Sequence, residues 1–491
     1  MKMPFQELLK NIVRYGTGDL FIKASVFLTI PIYTRIFNPD DYGILNYVLS
    51  TVGLFGVIIS LGADSAFTRF FWGAKTLEER QVVASTWFGF LAVWSGGIVI
   101  LCLPFAKLVS QWSFGTENYA FLFVCALLTA PFTLINNLCG QVLRNQNRAW
   151  LFSILSVAST LLGIGLSLFG VLILHLGLLG ILGGSLLGAC IMLPIRLWTA
   201  RRLLRPLFSG RVLSGMLSWG VPLVPTSLAY WVFGMSDRLL LGKLSSLDQV
   251  GLYAVASGVS SILILVNGAI GLAWVPIAFR IYEEQREVAA QFFGQVMTYI
   301  LLMFGLLSVG VTTFAFEALT ILSTPAFYTA SIAVGPLALG FMASASTQVT
   351  TLGISLTKKT KYFAVLSWLA ALLNLVLNLI FIPRWGMIAA SWTTALSYSF
   401  LSLAYLFISQ RLSPVVYEKR RVFVTIVVTI GFVVGARFFP EMTPMSRIIA
   451  KSLYCMTYLG TLFLFKAADK REWVGLSSIL RGRLAFAGIS E

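Results

Sequence analysis

Hydrophobic and polar positions alternate along this chain in long blocks. Apolar stretches of about twenty residues recur from end to end, separated by short polar or basic links. A helix satisfies its backbone hydrogen bonds within one segment, and about twenty residues of helix match the hydrocarbon core of a bilayer. The pattern predicts about fourteen spans, near 15–35, 43–63, 83–103, 118–140, 151–174, 177–198, 214–236, 250–276, 292–314, 328–352, 362–382, 386–409, 422–439 and 446–466. A membrane barrel would instead show alternating segments of about ten residues. The predicted fold class is an all-α integral membrane protein.

Both ends carry a different pattern. In MKMPFQELLKNIVRYG, Phe5, Leu8, Leu9, Ile12 and Val13 share one helical face, and Gln6, Glu7, Lys10, Asn11 and Arg14 share the other. This predicts a short helix lying on the membrane surface, not a secretory signal, which needs an apolar core and a small-residue cleavage site. A looser version surrounds Trp473, Leu476, Leu480 and Leu484, with Arg481 and Arg483.

Composition agrees with the spans. Apolar residues make up 58% of the chain and charged residues 11%, where soluble domains average about 25% charged. The mean hydropathy is +0.86. The net charge of +17 is spread unevenly. With the N-terminus in the cytoplasm, the loops on that side hold roughly three times the lysine and arginine of the opposite loops, which predicts that both termini are cytoplasmic. Basic loops facing anionic lipid account for the charge without a nucleic-acid partner. The five cysteines lie in apolar runs and form no CxxC pair, His175 is the single histidine, and no GxxxxGK[ST] stretch occurs. No metal, nucleotide or other cofactor is expected.

The chain also repeats itself. DDYGILNYV at 40–48 matches DQVGLYAVA at 248–256, pairing Asp40 with Asp248 and Gly43 with Gly251. HLGLLGILGGS at 175–185 matches RWGMIAASWTT at 384–394, pairing Gly177 with Gly386. Two six-span halves of equal orientation would place a site between them, so that one chain, acting as a monomer, forms a whole pathway. The predicted organisation is an amphipathic segment 1–14, an N-lobe 15–198, a basic cytoplasmic linker 199–213, a C-lobe 214–409, two further spans within 410–466 and a cytoplasmic tail 467–491.

Three stretches, IPIYTRIFNPDDYGILNYV at 30–48, SDRLLLGKLSSLDQVGLYAVA at 236–256 and GMIAAS at 386–391, resemble the polysaccharide transporter branch of the MOP superfamily, which includes O-antigen and other lipid-linked oligosaccharide flippases. The resemblance covers nearly the whole chain. It implies two six-helix lobes forming a V around a central cavity, two additional helices and alternating access. It further implies a flippase, not an enzyme, that moves an undecaprenyl-pyrophosphate-linked oligosaccharide across a bacterial inner membrane. Its partners would be that lipid-linked sugar, membrane lipids and the polysaccharide polymerase or export machinery.

Charges inside spans are the first site candidates, because a charge at mid-bilayer costs about 2.5–3.5 kcal/mol and so usually faces protein or water. Asp19 and Lys23 share a face of the first span, and Asp64 and Arg69 end the second on the same side. Together they are candidates for a cavity that receives pyrophosphate, with Asp19 or Asp64 also a candidate carrier of a coupling proton. Structural pairing and interfacial snorkelling are the plainer readings. Asp237 and Arg238 are candidates for a periplasmic gate closing against Arg35. Asn374 and Asn378 share a face of span eleven and join Asn136, Asn137, Gln141 and Gln348 as polar groups that bind either neighbouring helices or sugar hydroxyls. Tyr33, Tyr47, Tyr230, Trp231, Tyr253 and Trp274 offer aromatic faces to sugars or anchor the spans at the interface.

Two other functions stay open. A cation-coupled multidrug exporter would use an acidic, aromatic site, against which the mixed Asp19/Lys23 pair argues. A membrane glycan polymerase or ligase would need a large outer loop with catalytic carboxylates, and the longest, near 104–117, holds only Glu117. Whether a proton or sodium gradient drives the cycle is not encoded in any motif.

Overall fold

The computed structural model describes residues 29–439 and 443–467, with Ser25 and Phe27 also placed. The predicted surface helices at the two ends, and Asp19 and Lys23, lie outside the described residues. Every regular element among the described residues is helical. Eleven helical segments are long and apolar enough to cross a membrane. One of them, α16 (Lys361–Leu412), is two helices joined at Gly386, which supplies predicted spans eleven and twelve. The last, α18 (Pro444–Leu464), and the described end of the first helix, α1 (29–36), bring the bundle to fourteen.

Local chemistry sets the boundaries. Asn38 caps α2 (Pro39–Ser60) by accepting from the Asp41 N–H, and Pro39 occupies the first turn, where no N–H is needed. α2 ends at Leu61 and Gly62, both left-handed, and α3 (Ala63–Gly73) continues the span at an angle. A capping box between Thr76 and Glu79 starts α4 (Leu77–Cys102), which leads into α5 (Ala106–Phe114). α6 (Ala120–Asn145), α7 (Ala149–Leu172) and α8 (Leu178–Ala200) complete the first half.

The link between α8 and α9 runs over 201–209, within the expected linker 199–213, because α8 ends at Ala200 and Ser209 caps α9 (Gly210–Gly220) through the Val212 N–H. It is also held in place: the Gln81 amide donates to the Arg202 carbonyl, and Ser85 donates to the Leu203 carbonyl while accepting from the Arg205 N–H. Span seven is broken at Pro222 into α9 and α10 (Val224–Leu244). α11 (Leu247–Glu284), α12 (Arg286–Thr313), the short α13 (Ala315–Leu322), α14 (Ser331–Thr350), α15 (Leu352–Leu356) and α16 follow, and α17 (Lys419–Gly435) packs with α18 against α12.

The repeat is visible in the backbone. Gly177, between α7 and α8, has φ 56° and ψ −135°. Its sequence counterpart Gly386 has φ 52° and ψ −133°. This region is open essentially to glycine alone, and in both halves it makes the tight link between two antiparallel spans.

Candidate functional site

One cavity of 590 Å³ lies where α2, α3, α6 and α8 of the first half meet Leu223 and Ser227 of the second. The break at Leu61–Gly62 turns the start of α3 toward it and brings Asp64 and Ser65 to its wall. Pro131 interrupts the hydrogen-bond ladder of α6 between Thr129 and Thr133, which also face the cavity. Ser60, Ser185, Ser227 and Asn137 add further polar groups to an otherwise apolar wall. Asp64 is the charged side chain among the described lining residues. Arg69, a little over one turn further along α3, lies with its guanidinium 3.7 Å from the Trp219 ring centroid, and the Trp219 indole donates to Ser65.

Toward the end of the bundle where α2 and α11 begin, called here the far end, glycines let the two halves close on each other. A Cβ on Gly43 would sit inside the Leu247 carbonyl, 2.7 Å from its carbon, and one on Gly251 would meet the Pro39 carbonyl carbon at 2.9 Å. These two contacts are counterparts under the repeat, so α2 and α11 cross at their equivalent glycines. Lower on the same interface, the Trp231 indole of α10 covers Gly53 of α2, and the Tyr47 ring of α2 covers Gly242 of α10. Without a hydrophobic drive between helices in lipid, such close backbone approach is what makes a tight seam. Arg35 adds a link across it, donating to its own Pro31 carbonyl at 2.7 Å and to the Ile321 carbonyl of α13 at 3.0 Å.

A second polar site is enclosed in the second half. Asp237 of α10 is 1% exposed, and Asn374 and Asn378 of α16 are fully buried. The Asp237 carboxylate accepts from the Tyr253 hydroxyl at 2.6 Å, the Thr394 hydroxyl at 2.8 Å and the Asn378 amide. Asn378 also donates to the Asn374 oxygen at 3.1 Å and accepts from Thr393. The cluster thus gathers a carboxylate, two amide oxygens and three hydroxyls. These hard oxygen donors suit a proton or a hard monovalent cation. Among the described residues, no group of three His, Cys, Asp or Glu side chains is placed to hold a metal ion.

The structure regroups the residues singled out in the sequence. Asp64 lines the cavity, while Arg69 lies on Trp219. Of the gate candidates, Asp237 and Arg35 are engaged apart from each other: the Asp237 oxygens accept from α11 and α16 donors, and the Arg35 guanidinium donates to backbone carbonyls. Arg238, next in the chain but on another face of α10, donates to the Gly234 carbonyl at 2.9 Å and reaches Ser257 at 3.5 Å. Asp237 belongs instead with Asn374 and Asn378, which sequence spacing linked only to each other. Thr393 and Thr394 escaped notice because nothing local marks them. Tyr253 joins the cluster through its hydroxyl, which donates to Asp237, and not through its aromatic face. Asn136 bonds the Ala189 carbonyl and so ties α6 to α8, while its neighbour Asn137 faces the cavity.

Two lobes are thus seamed along α2, α10 and α11, with a cavity between them. In fold the chain is similar to the lipid II flippase MurJ in an inward closed conformation, with a TM-score of 0.75 at 14% identity over 94% of this chain and 100% of that one. It is also similar to an inward-facing multidrug resistance MATE family transporter of the MOP superfamily, with a TM-score of 0.65 at 15% identity over 79% and 94%. The pattern of the polysaccharide biosynthesis protein family matches residues 8–282, and the chain belongs to that family. Among curated proteins it is 22% identical over 297 residues to the Lsg locus putative protein 1 of Haemophilus influenzae, spanning 58% of this chain and 69% of that protein. It is 22% identical over 298 residues to the succinoglycan biosynthesis transport protein ExoT of Rhizobium meliloti, spanning 59% of this chain and 58% of that protein. The protein is a multi-pass membrane protein of the polysaccharide biosynthesis family.

Proposed function

We propose that the protein is a flippase that carries an undecaprenyl-pyrophosphate-linked oligosaccharide from the cytoplasmic to the outer leaflet of a bacterial inner membrane by alternating access. Both termini then lie in the cytoplasm, and the far end faces the periplasm. The observation that carries this reading is the cavity between the halves, whose wall offers six hydroxyls, the Asn137 amide and the Asp64 carboxylate. Such a wall suits a sugar, which exchanges hydrogen bonds with water for hydrogen bonds with many weak donors and acceptors. The MurJ-like fold and the family's place in polysaccharide biosynthesis support the same reading. Lys23 on the first span is the proposed partner of the pyrophosphate, and Asp19 would compensate the Lys23 charge when the cavity is empty. Asp237, Asn374 and Asn378 are the proposed coupling site, which takes up a proton or sodium ion as a co-substrate. The seam at Gly43 and Gly251, with Arg35 across it and Arg238 beside it, is the proposed periplasmic gate.

The test is translocation of a fluorescent lipid-linked oligosaccharide in proteoliposomes. Ser185→Leu fills the cavity and Lys23→Ala removes the phosphate partner, and each is expected to lower transport at least tenfold at matched reconstitution. Undiminished transport by both variants refutes the assignment of the cavity. Uptake of cationic dyes without oligosaccharide transport would favour a multidrug exporter, for which Asp64 is the available carboxylate in the cavity wall.

A further inference from the structure

The final two helices have no counterpart in the repeat, and their packing creates a second cleft away from the seam. At the far end, α12, α13, α14, α17 and α18 enclose 430 Å³ lined by Arg437, Arg447 and Lys451, with Thr312, Ser331 and Phe316. The loops at this end are poor in basic residues: only Arg35, Lys107, Arg238, Lys243 and Arg384 join these three. Chain segments that follow α17 and begin α18 thus converge much of that scarce charge on one place.

The geometry is that of an anion site at a membrane surface. The Lys451 residue is 6% exposed, and its ammonium is 2.7 and 2.8 Å from the two carboxylate oxygens of Glu317. That pair neutralises Lys451. Arg437 donates to the Ile332 carbonyl at 2.9 Å, which fixes its guanidinium beside the first turn of α14. Arg447 lies over the Phe316 ring at 5.4 Å. α18 starts at Pro444, so its N-terminus, carrying partial positive charge, flanks the cleft. Two guanidiniums, serine and threonine hydroxyls and a helix N-terminus are groups that bind phosphate oxygens, and Phe316 and Phe439 add apolar lining.

We propose that this cleft binds the phosphate of an anionic lipid in the outer leaflet, anchoring α17 and α18 to the bilayer. The site is separate from the cavity between the halves, and it stands whether or not the flippase reading holds.

The experiment uses delipidated full-length protein in detergent and native mass spectrometry. The probes are phosphatidylglycerol, a polyprenyl monophosphate, phosphatidylcholine and inorganic phosphate. Wild type is expected to retain phosphatidylglycerol at least tenfold better than phosphatidylcholine, and Arg437→Gln/Arg447→Gln is expected to lose that preference. Arg437→Lys/Arg447→Lys keeps the charge and is expected to keep most of the binding, which controls for a misfolded glutamine variant. Release of phosphatidylglycerol by rising salt in the wild type is an independent check that needs no variant. Competition between phosphatidylglycerol and polyprenyl monophosphate tells which lipid phosphate the site prefers, and either preference supports a lipid site. Full displacement by millimolar inorganic phosphate, equal retention of phosphatidylcholine, or retention unchanged in the glutamine variant overturns it.

Discussion

Adding one methyl group at Gly43 or Gly251 is expected to open the far end of the molecule. The two glycines face each other's helix across the seam, and a Cβ at either would lie within 3.0 Å of a backbone carbonyl carbon, closer than real Cβ contacts come, and nearer still to the carbonyl oxygen. Backbone cannot rotate aside as a side chain can, so α2 and α11 must separate by roughly 1 Å. Overpacking of this kind costs about 1–3 kcal/mol. The cost falls on the closed seam and not on a state in which the halves are apart there. A bias of about 1–3 kcal/mol shifts a two-state equilibrium roughly 5- to 150-fold. The assay is electron spin resonance distance measurement between labels on exposed Asn118 and Ala326, at the far ends of the two halves, with the five native cysteines replaced. Gly43→Ala and Gly251→Ala are each expected to shift the distribution to longer distances. Gly56→Ala, on the same helix with nothing within 4 Å of its Cβ, is expected to leave it unchanged. Distance distributions indistinguishable from wild type in both seam variants, at equal expression and monodispersity, refute the gate assignment.

Two further outcomes follow from the polar site and the repeat. Asp237→Asn keeps the shape and removes the charge, and transport is expected to lose its dependence on an imposed proton or sodium gradient; Asp237→Ala should also lower the melting temperature, because three donors are left without an acceptor at about 1–3 kcal/mol each. Gradient dependence that survives in Asp237→Asn rules out this cluster as the coupling site. Gly177→Ala and Gly386→Ala each force a side chain into a glycine-only conformation, at about 1–3 kcal/mol, and should lower the melting temperature in detergent. The loss should be larger at Gly386, where the added Cβ would also meet the Gln249 amide oxygen at 2.7 Å, whereas nothing lies within 4 Å at Gly177. Unchanged melting of both variants refutes the strain argument.

The sequence by itself determined the class of the protein, because a bilayer demands long apolar helical segments that satisfy their own backbone, and that demand is written in local composition. It also marked the paired glycines. Gly43 with Gly251 and Gly177 with Gly386 stand out as an internal repeat, and each pair takes equivalent places in the structure. The breaks within spans two and seven were not legible, since left-handed Leu61 and the interruption at Pro222 carry little signal inside apolar runs. Tertiary structure alone decided the sites. Asp237 and Arg238 are neighbours in the chain, yet adjacent residues on a helix point about 100° apart, so one enters a buried cluster with Asn378, Tyr253 and Thr394 and the other faces Ser257. Likewise, no spacing relates Ser185 to Asp64, or Arg437 to Lys451. Those meetings depend on which faces of distant helices pack together, a long-range choice that no local pattern of hydrophobic and polar residues records.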